Sequence, residues 1–112
     1  MTHRPKVLLV DDDSDLLELY QEMLSKLPSQ PIVRTTNSGA KAIAMLDAEP
    51  FSLLLSDLNM PGMDGLQVLA VVRRKYPQMR TAVMTTVTDP QFRMRAYAIG
   101  LDLYLEKPNN SE

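Results

Sequence analysis

The chain contains no cysteine, so neither a disulfide framework nor a thiolate metal site is open to it. That suits a reducing, cytoplasmic setting. Long hydrophobic runs are also missing. A largely polar opening, Met1 to Lys6, leads into an apolar run of only Val7 to Val10, too short for a signal peptide or a membrane span. A strong excess of either charge is missing as well: the formal net charge is -2, which advertises neither nucleic-acid nor membrane binding. No internal repeat, low-complexity tract or linker breaks up the 112 residues. Residues 1–112 are expected to form one domain, able to bury roughly 65% of its unfolded surface. The charge that is present is uneven. Asp11, Asp12 and Asp13 are adjacent, while Arg73, Arg74 and Lys75 form a basic cluster read as a solvated helix end.

Two kinds of segment alternate along the chain. Short apolar runs at Val7–Val10, Ile32–Thr36, Phe51–Ser56, Ala82–Thr85 and Leu103–Leu105 are too short for helices. Their Val, Leu and Ile content with little polar alternation predicts strands of a parallel sheet. Between them lie segments of helical period. The first carries a stripe of Leu16, Tyr20, Met23, Leu24 and Leu27 and stops at Pro28. The second has Ser38 as N-cap, Ala42, Ile43 and Leu46 as stripe, and Pro50 as stop. The third has Leu66, Leu69, Val72 and Tyr76, and ends at Pro77. In the fourth, Asp89 caps, Pro90 takes the first helical position, Phe92, Ala96 and Ile99 face inward, and Gly100 supplies a left-handed stop. The resulting β-α-β-α-β-α-β-α-β order implies parallel strands joined by right-handed crossovers.

In such a sheet, ligands sit beyond the carboxyl ends of the strands. The residues there are Asp11, Asp12 and Asp13 after the first strand, Asp57 after the third, Thr85 and Thr86 at the end of the fourth, and Lys107 after the fifth. Two carboxylates about 4 Å apart repel by about 1 kcal/mol in water and about 4 kcal/mol at an effective dielectric near 20. An acid cluster must therefore protonate, stay wet or hold a cation. All-oxygen donors favour Mg²⁺, Mn²⁺ or Ca²⁺ over zinc, and Mg²⁺ commonly combines one or two carboxylates with waters and a phosphate. A carboxylate beside such an ion can act as a nucleophile toward phosphorus. An ammonium and a hydroxyl suit phosphoryl oxygens as point charge and hydrogen-bond donor.

These residues resemble a known family. Val7-Leu8-Leu9-Val10-Asp11-Asp12-Asp13 is similar to the acidic opening of response-regulator receiver domains of two-component signal transduction, the CheY-like superfamily. Ser56-Asp57-Leu58-Asn59-Met60-Pro61-Gly62-Met63-Asp64-Gly65 resembles their phosphorylation loop nearly residue for residue. Met84-Thr85 matches the switch hydroxyl, and Tyr104-Leu105-Glu106-Lys107-Pro108 matches the switch aromatic and the lysine-proline pair. Thr85 lies 22 residues before Lys107, the family's usual separation, which selects it over Thr86. The resemblance implies a flavodoxin-like α/β fold with five parallel strands in the order 2-1-3-4-5 and helices on both faces. It implies that Asp57 accepts a phosphoryl group from a histidine kinase or a histidine phosphotransfer protein. It implies that Asp11, Asp12, Asp57 and the backbone carbonyl of Asn59 bind Mg²⁺, with Mn²⁺ as a substitute, and that Lys107 pairs with the phosphoryl group. Thr85 would move to donate to that group and Tyr104 would turn inward with it, switching a protein-interaction surface toward an output domain or protein. The Lys107–Pro108 peptide is expected to be cis. Pro61 and Gly62 would shape the loop, and Gly65 would permit close backbone approach.

Plainer roles stand beside these. Asp13 reads as a helix-start acid, Thr86 and Thr88 as loop polar residues, His3 as a terminal histidine, and Met60, Met63, Met79 and Met84 as core and loop filler. Tyr104 has an alternative as an ordinary half-buried aromatic. Two departures from the family pattern stand out. Asn109-Asn110-Ser111-Glu112 follow the lysine-proline pair where a fifth helix is usual. The expectation is a receiver shortened or excised from a longer protein, or one that covers the bare sheet face by self-association. Thr86 and Val87 replace residues that assist entry and attacking water, so the phosphoryl group should be long-lived. A small aspartyl-phosphate phosphatase is disfavoured as an alternative because Asn59 stands two beyond Asp57, where a second acid would be needed. A non-phosphorylated protein-binding module is disfavoured by the full set of acids, hydroxyl and lysine.

Overall fold

In the computed structural model, residues 4–58, 60, 64–86 and 89–107 are described. The five apolar runs become strands: β1 (Lys6–Val10), β2 (Ile32–Thr36), β3 (Leu53–Ser56), β4 (Arg80–Thr85) and β5 (Leu103–Glu106). The periodic segments become α1 (Ser14–Ser25), α2 (Gly39–Ala48), α3 (Gly65–Lys75) and α4 (Pro90–Ile99). The sheet order is β2-β1-β3-β4-β5, and every pairing is parallel. The expected flavodoxin-like architecture is therefore present. Four boundaries move: β1 starts at Lys6 rather than Val7, β3 at Leu53 rather than Phe51 and β4 at Arg80 rather than Ala82, and β5 ends at Glu106 rather than Leu105. No helix among the described residues is long and apolar enough to cross a membrane.

Local chemistry explains where the helices start and stop. The Ser38 hydroxyl accepts from the Lys41 amide and the Asp89 carboxylate from Gln91, with Pro90 in the first turn. Each satisfies an amide that the first helical turn leaves without a partner. Asp13 caps α1 in the same way, accepting from the Asp15 and Leu16 amides. Asp64 caps α3 through the Gln67 amide. Gly100 ends α4 at φ 125°, a conformation that side chains disfavour.

One face of the sheet packs Leu8, Val10 and Leu54 against α2 and α3 through Ala42, Leu46 and Val72. Toward β4 and β5 the same side buries Leu58, Leu69, Val83, Ala96, Leu101 and Tyr104. The opposite face carries α1, with Val7, Leu9 and Leu17 at its centre and Leu53 and Leu55 only partly covered. On this second face Leu103 stays 48% exposed.

The stripe expected for α1 needs correction. Leu17 is its buried residue, whereas Met23 and Leu27 are exposed. Tyr20 and Leu24 do face inward, but the inward arc passes through Leu17 rather than Met23, and the helix ends before Leu27.

Within the basic cluster, Arg74 and Lys75 are exposed at the end of α3 as expected, and one residue departs from that role. Arg73 is not a solvated helix end. Its side chain donates to the carbonyls of Gly100, Pro77 and Met79 and to the Asp102 carboxylate, at 2.9–3.2 Å. Asp102 in turn accepts from the Thr81 amide at 2.9 Å, and this bond, with the Arg73 guanidinium, holds its carboxyl below the usual carboxylate range. Five donors on a rigid planar group suit this task. Arg73 thus ties the end of α3 to the turn into β4 and to the α4–β5 turn. Arg73→Ala is expected to lower unfolding stability by about 2–3 kcal/mol, since hydrogen bonds to charged groups contribute about 1.5–3 kcal/mol. Arg74→Ala, at an exposed position, should change it by less than about 0.5 kcal/mol. Chemical denaturation of the two variants checks this.

Candidate metal and phosphoryl site

The parallel ladder continues one residue past three strand ends, and those residues are the ones the sequence singles out. The Asp11 amide donates to the Thr36 carbonyl, the Asp57 amide to Val10, and the Lys107 amide to Thr85, at 3.2, 2.8 and 2.9 Å. Backbone hydrogen bonding therefore sets all three side chains at the carboxyl edge before any side-chain attraction acts.

There, Asp11, Asp12 and Asp57 each place a carboxylate oxygen within 4.8 Å of the others. Asp11 and Asp57 are buried, and Asp12 is exposed. The Lys107 ammonium reaches Asp11 Oδ2 and Asp57 Oδ2, both at 2.9 Å. Asp11 Oδ1 accepts from the Asp13 amide at 2.9 Å, so that carboxylate is fixed from both sides. Asp13 itself is engaged in capping α1 and stands outside the three-acid cluster. Burial pushes the Lys107 ammonium toward deprotonation. Hydrogen bonds to Asp57 and Asp11, and their charges, outweigh this and hold its pKa above the ordinary lysine value.

One ammonium balances one of three carboxylates, which leaves the pocket two formal negative charges. The donors are all oxygen, and the open side lies at exposed Asp12. This fits a hard divalent cation of the Mg²⁺ type, which accepts few protein oxygens and keeps several waters.

Thr85 is fully buried at the end of β4, beside the strand that delivers Lys107. Tyr104 on β5 already points inward and is only 9% exposed. Its ring lies 6.5 Å from that of Tyr97 and has the Arg93 guanidinium 5.0 Å from its centroid. Burial raises its phenol pKa. At Gly65 a Cβ would lie 2.5 Å from the Leu58 carbonyl oxygen, which is the close approach expected there. Asn59, Pro61, Gly62, Met63, Val87, Thr88, Pro108 and His3 lie outside the described residues. The Asn59 carbonyl as a ligand and the cis Lys107–Pro108 peptide therefore fall outside them as well.

Two contributors escaped the sequence reading. Arg93 sits over Tyr104 while pairing with Glu106, and no motif marks it. Tyr20 brings a hydroxyl under the pocket from α1. Its one sequence signal is a polar tip in an otherwise aliphatic stripe.

Fold and pocket together define a doubly wound parallel α/β domain with an acidic, lysine-closed site at its carboxyl edge. Residues 7–112 match the family model described as the response regulator receiver domain, and the chain belongs to that family. It is 40% identical over 103 residues to the response regulator protein FleR of Pseudomonas aeruginosa, covering 92% of this chain and 21% of the relative. It is 33% identical to the DNA-binding transcriptional regulator NtrC of Escherichia coli, covering 91% of this chain and 21% of that protein. The chain thus spans about a fifth of the length of these curated relatives. Among solved structures, the phosphorylated cyanobacterial phytochrome response regulator RcpA superposes with a TM-score of 0.88 at 27% identity, covering 96% of this chain and 84% of that one. The signal receiver domain of an HD domain-containing protein from Pseudomonas fluorescens superposes with a TM-score of 0.87 at 29% identity, covering 96% of this chain and 79% of that one.

Replacing Lys107 leaves buried like charges facing each other. Lys107→Met should cost about 3–5 kcal/mol in metal-free buffer, as when one side of a buried ion pair is removed. Because the folded pKa is raised, the stabilisation from Lys107 is complete below pH 10.5, the unfolded value, and is lost as pH rises through the folded value. The gap between the natural chain and the variant should be flat at neutral pH and close at high pH. Calorimetric unfolding from neutral to alkaline pH checks both points.

Proposed function

We propose that this receiver domain takes a phosphoryl group onto Asp57 in a Mg²⁺-dependent reaction. The donor is the phosphohistidine of a histidine kinase or a histidine phosphotransfer protein. The observation that carries this reading is the contact of one ammonium with both Asp11 and Asp57, inside a three-carboxylate cluster at the strand ends. Similar proteins support it: FleR and NtrC are regulators, and RcpA was solved phosphorylated.

In the transfer, an Asp57 oxygen bonds to phosphorus as the donor's P–N bond breaks. The nitrogen leaves with the electron pair and takes up a proton. Asp11, Asp12 and Asp57, with the Asn59 carbonyl, are the residues that would hold Mg²⁺, which when bound neutralises charge on the phosphoryl oxygens. Lys107 binds one of those oxygens as a point charge, and the backbone bond from its amide to Thr85 fixes where its side chain starts. Positioning and charge neutralisation are the main demands of such a transfer. The Thr85 hydroxyl donates to the phosphoryl group. Its buried position beside β5 couples that movement to Tyr104, and the surface of α4 and β5 around Arg93 and Tyr97 then changes for an output domain or protein. Mn²⁺ serves in place of Mg²⁺.

Incubation with phosphoramidate and Mg²⁺ should add one phosphoryl group by intact mass, and Asp57→Ala should abolish the addition. Continuous donor turnover would indicate a phosphatase, and an unchanged mass a binding module. Thr86, exposed just past β4, crowds entry to the site, and valine at position 87 has no side-chain group to hydrogen-bond an attacking water. The adduct is therefore expected to persist for minutes or longer in Mg²⁺ buffer. Decay within seconds, followed by the same mass measurement, would contradict that.

A further inference from the structure

One buried polar atom at the site has no use in the scheme above. The Tyr20 hydroxyl oxygen is buried and has no hydrogen-bond partner, alone among the described residues in this. Its ring rises from α1 beneath the pocket and borders a cavity of about 10 Å³ that Asp11, Asp57, Leu55 and Met84 also line. A space of that size holds one water at most. A buried hydroxyl without a partner is unfavourable, and a state in which it is bonded relieves that cost. Tyr20 shares that cavity with Asp11 and Asp57, the two carboxylates that hold the Lys107 ammonium at 2.9 Å, and burial raises its phenol pKa. It is therefore a neutral phenol at physiological pH, able to accept from a cation.

Lys107 supplies the matching need. Its ammonium has three N–H donors, and two are used on Asp11 Oδ2 and Asp57 Oδ2. Those two carboxylates belong to the cluster that fits a divalent cation. A cation there competes with Lys107 for the same oxygens, and Lys107 then needs another acceptor close by.

We propose that the Tyr20 hydroxyl is that acceptor: a second seat for the Lys107 ammonium that lets Asp11 turn to a cation while keeping Lys107 beside Asp57. Tyr20 is thus a positioning residue acting through Lys107. The inference rests on the receiver reading, because it assumes a cation at the three acids.

The test uses Mg²⁺ alone as probe, with affinity read from amide chemical shifts of the whole chain. Lys107→Met removes the competitor and should tighten Mg²⁺ binding. Tyr20→Phe should weaken it roughly three- to tenfold, the equivalent of one net hydrogen bond. In the Lys107→Met background, Tyr20→Phe should change it by less than about twofold, the mark of an effect transmitted through Lys107. The metal-free melting temperature of Tyr20→Phe should be unchanged or higher, because the lost oxygen bonds to nothing in that state. Equal weakening in both backgrounds, no weakening in the natural one, or a lower metal-free melting temperature would each overturn the role of Tyr20. A natural chain that binds no Mg²⁺ and forms no Asp57 adduct would overturn the receiver reading itself. A natural chain that does both, beside a Tyr20→Phe variant that behaves identically, removes only this inference.

Discussion

Everything at the carboxyl edge depends on one ammonium held between two buried carboxylates. Asp11 and Asp57 arrive on neighbouring strands, in register through the β1–β3 pairing, and both are almost wholly withdrawn from water. Without a positive charge between them, their repulsion in a medium of lowered dielectric would amount to several kcal/mol. Lys107 relieves that repulsion at 2.9 Å from each. It does so only in part, because the exposed Asp12 carboxylate adds to the cluster. The pocket is stable enough to stay folded and remains short of positive charge, which is the electrostatic requirement for a cation or a phosphoryl-bound cation.

The sheet itself places Asp11, Asp57 and Lys107, through backbone bonds one residue past the strand ends. Strand β1 lies between β2 and β3, so the chain leaves the sheet in opposite directions on either side of it and opens a crevice at its carboxyl end. Asp11 and Asp57 border that crevice. The Lys107 backbone is bonded to β4 through Thr85, so its side chain must cross the intervening strand end to reach the acids. The same backbone bond joins Lys107 to the buried threonine, and Tyr104 lies three residues before Lys107 on the same strand. Charge at the pocket and packing around Tyr104 are therefore linked by a short stretch of β5.

Two stabilising devices at the opposite edge have no part in that chemistry. Arg73 bonds the carbonyls that the turns after α3 and α4 leave open, and Asp102 closes the same network through Thr81. Asp47 does comparable work between α2 and α3, pairing with Lys75 and with the Tyr76 hydroxyl. In the linear sequence Arg73 reads as part of an ordinary charged helix end, because nothing local reveals that backbone carbonyls from two turns converge on it.

The sequence alone was enough for the strand and helix order, the parallel sheet, three of the caps and the placing of Asp11, Asp12 and Asp57 at the strand ends, because each follows from local signals. Apolar runs between turn residues, proline stops and capping side chains act over a few positions, and the motif around Asp57 is contiguous. What needed the tertiary structure depends on distance between separate segments. Which way α1 rolls, burying Leu17 and exposing Met23, is decided by the sheet beneath it. That Lys107 bonds Asp11 as well as Asp57, that Arg73 is a clamp, and that the Tyr20 hydroxyl ends beneath the pocket are properties of the packed chain. Helical period fixes the angular spacing of side chains but leaves the roll of the helix free, and only contact with the sheet removes that freedom.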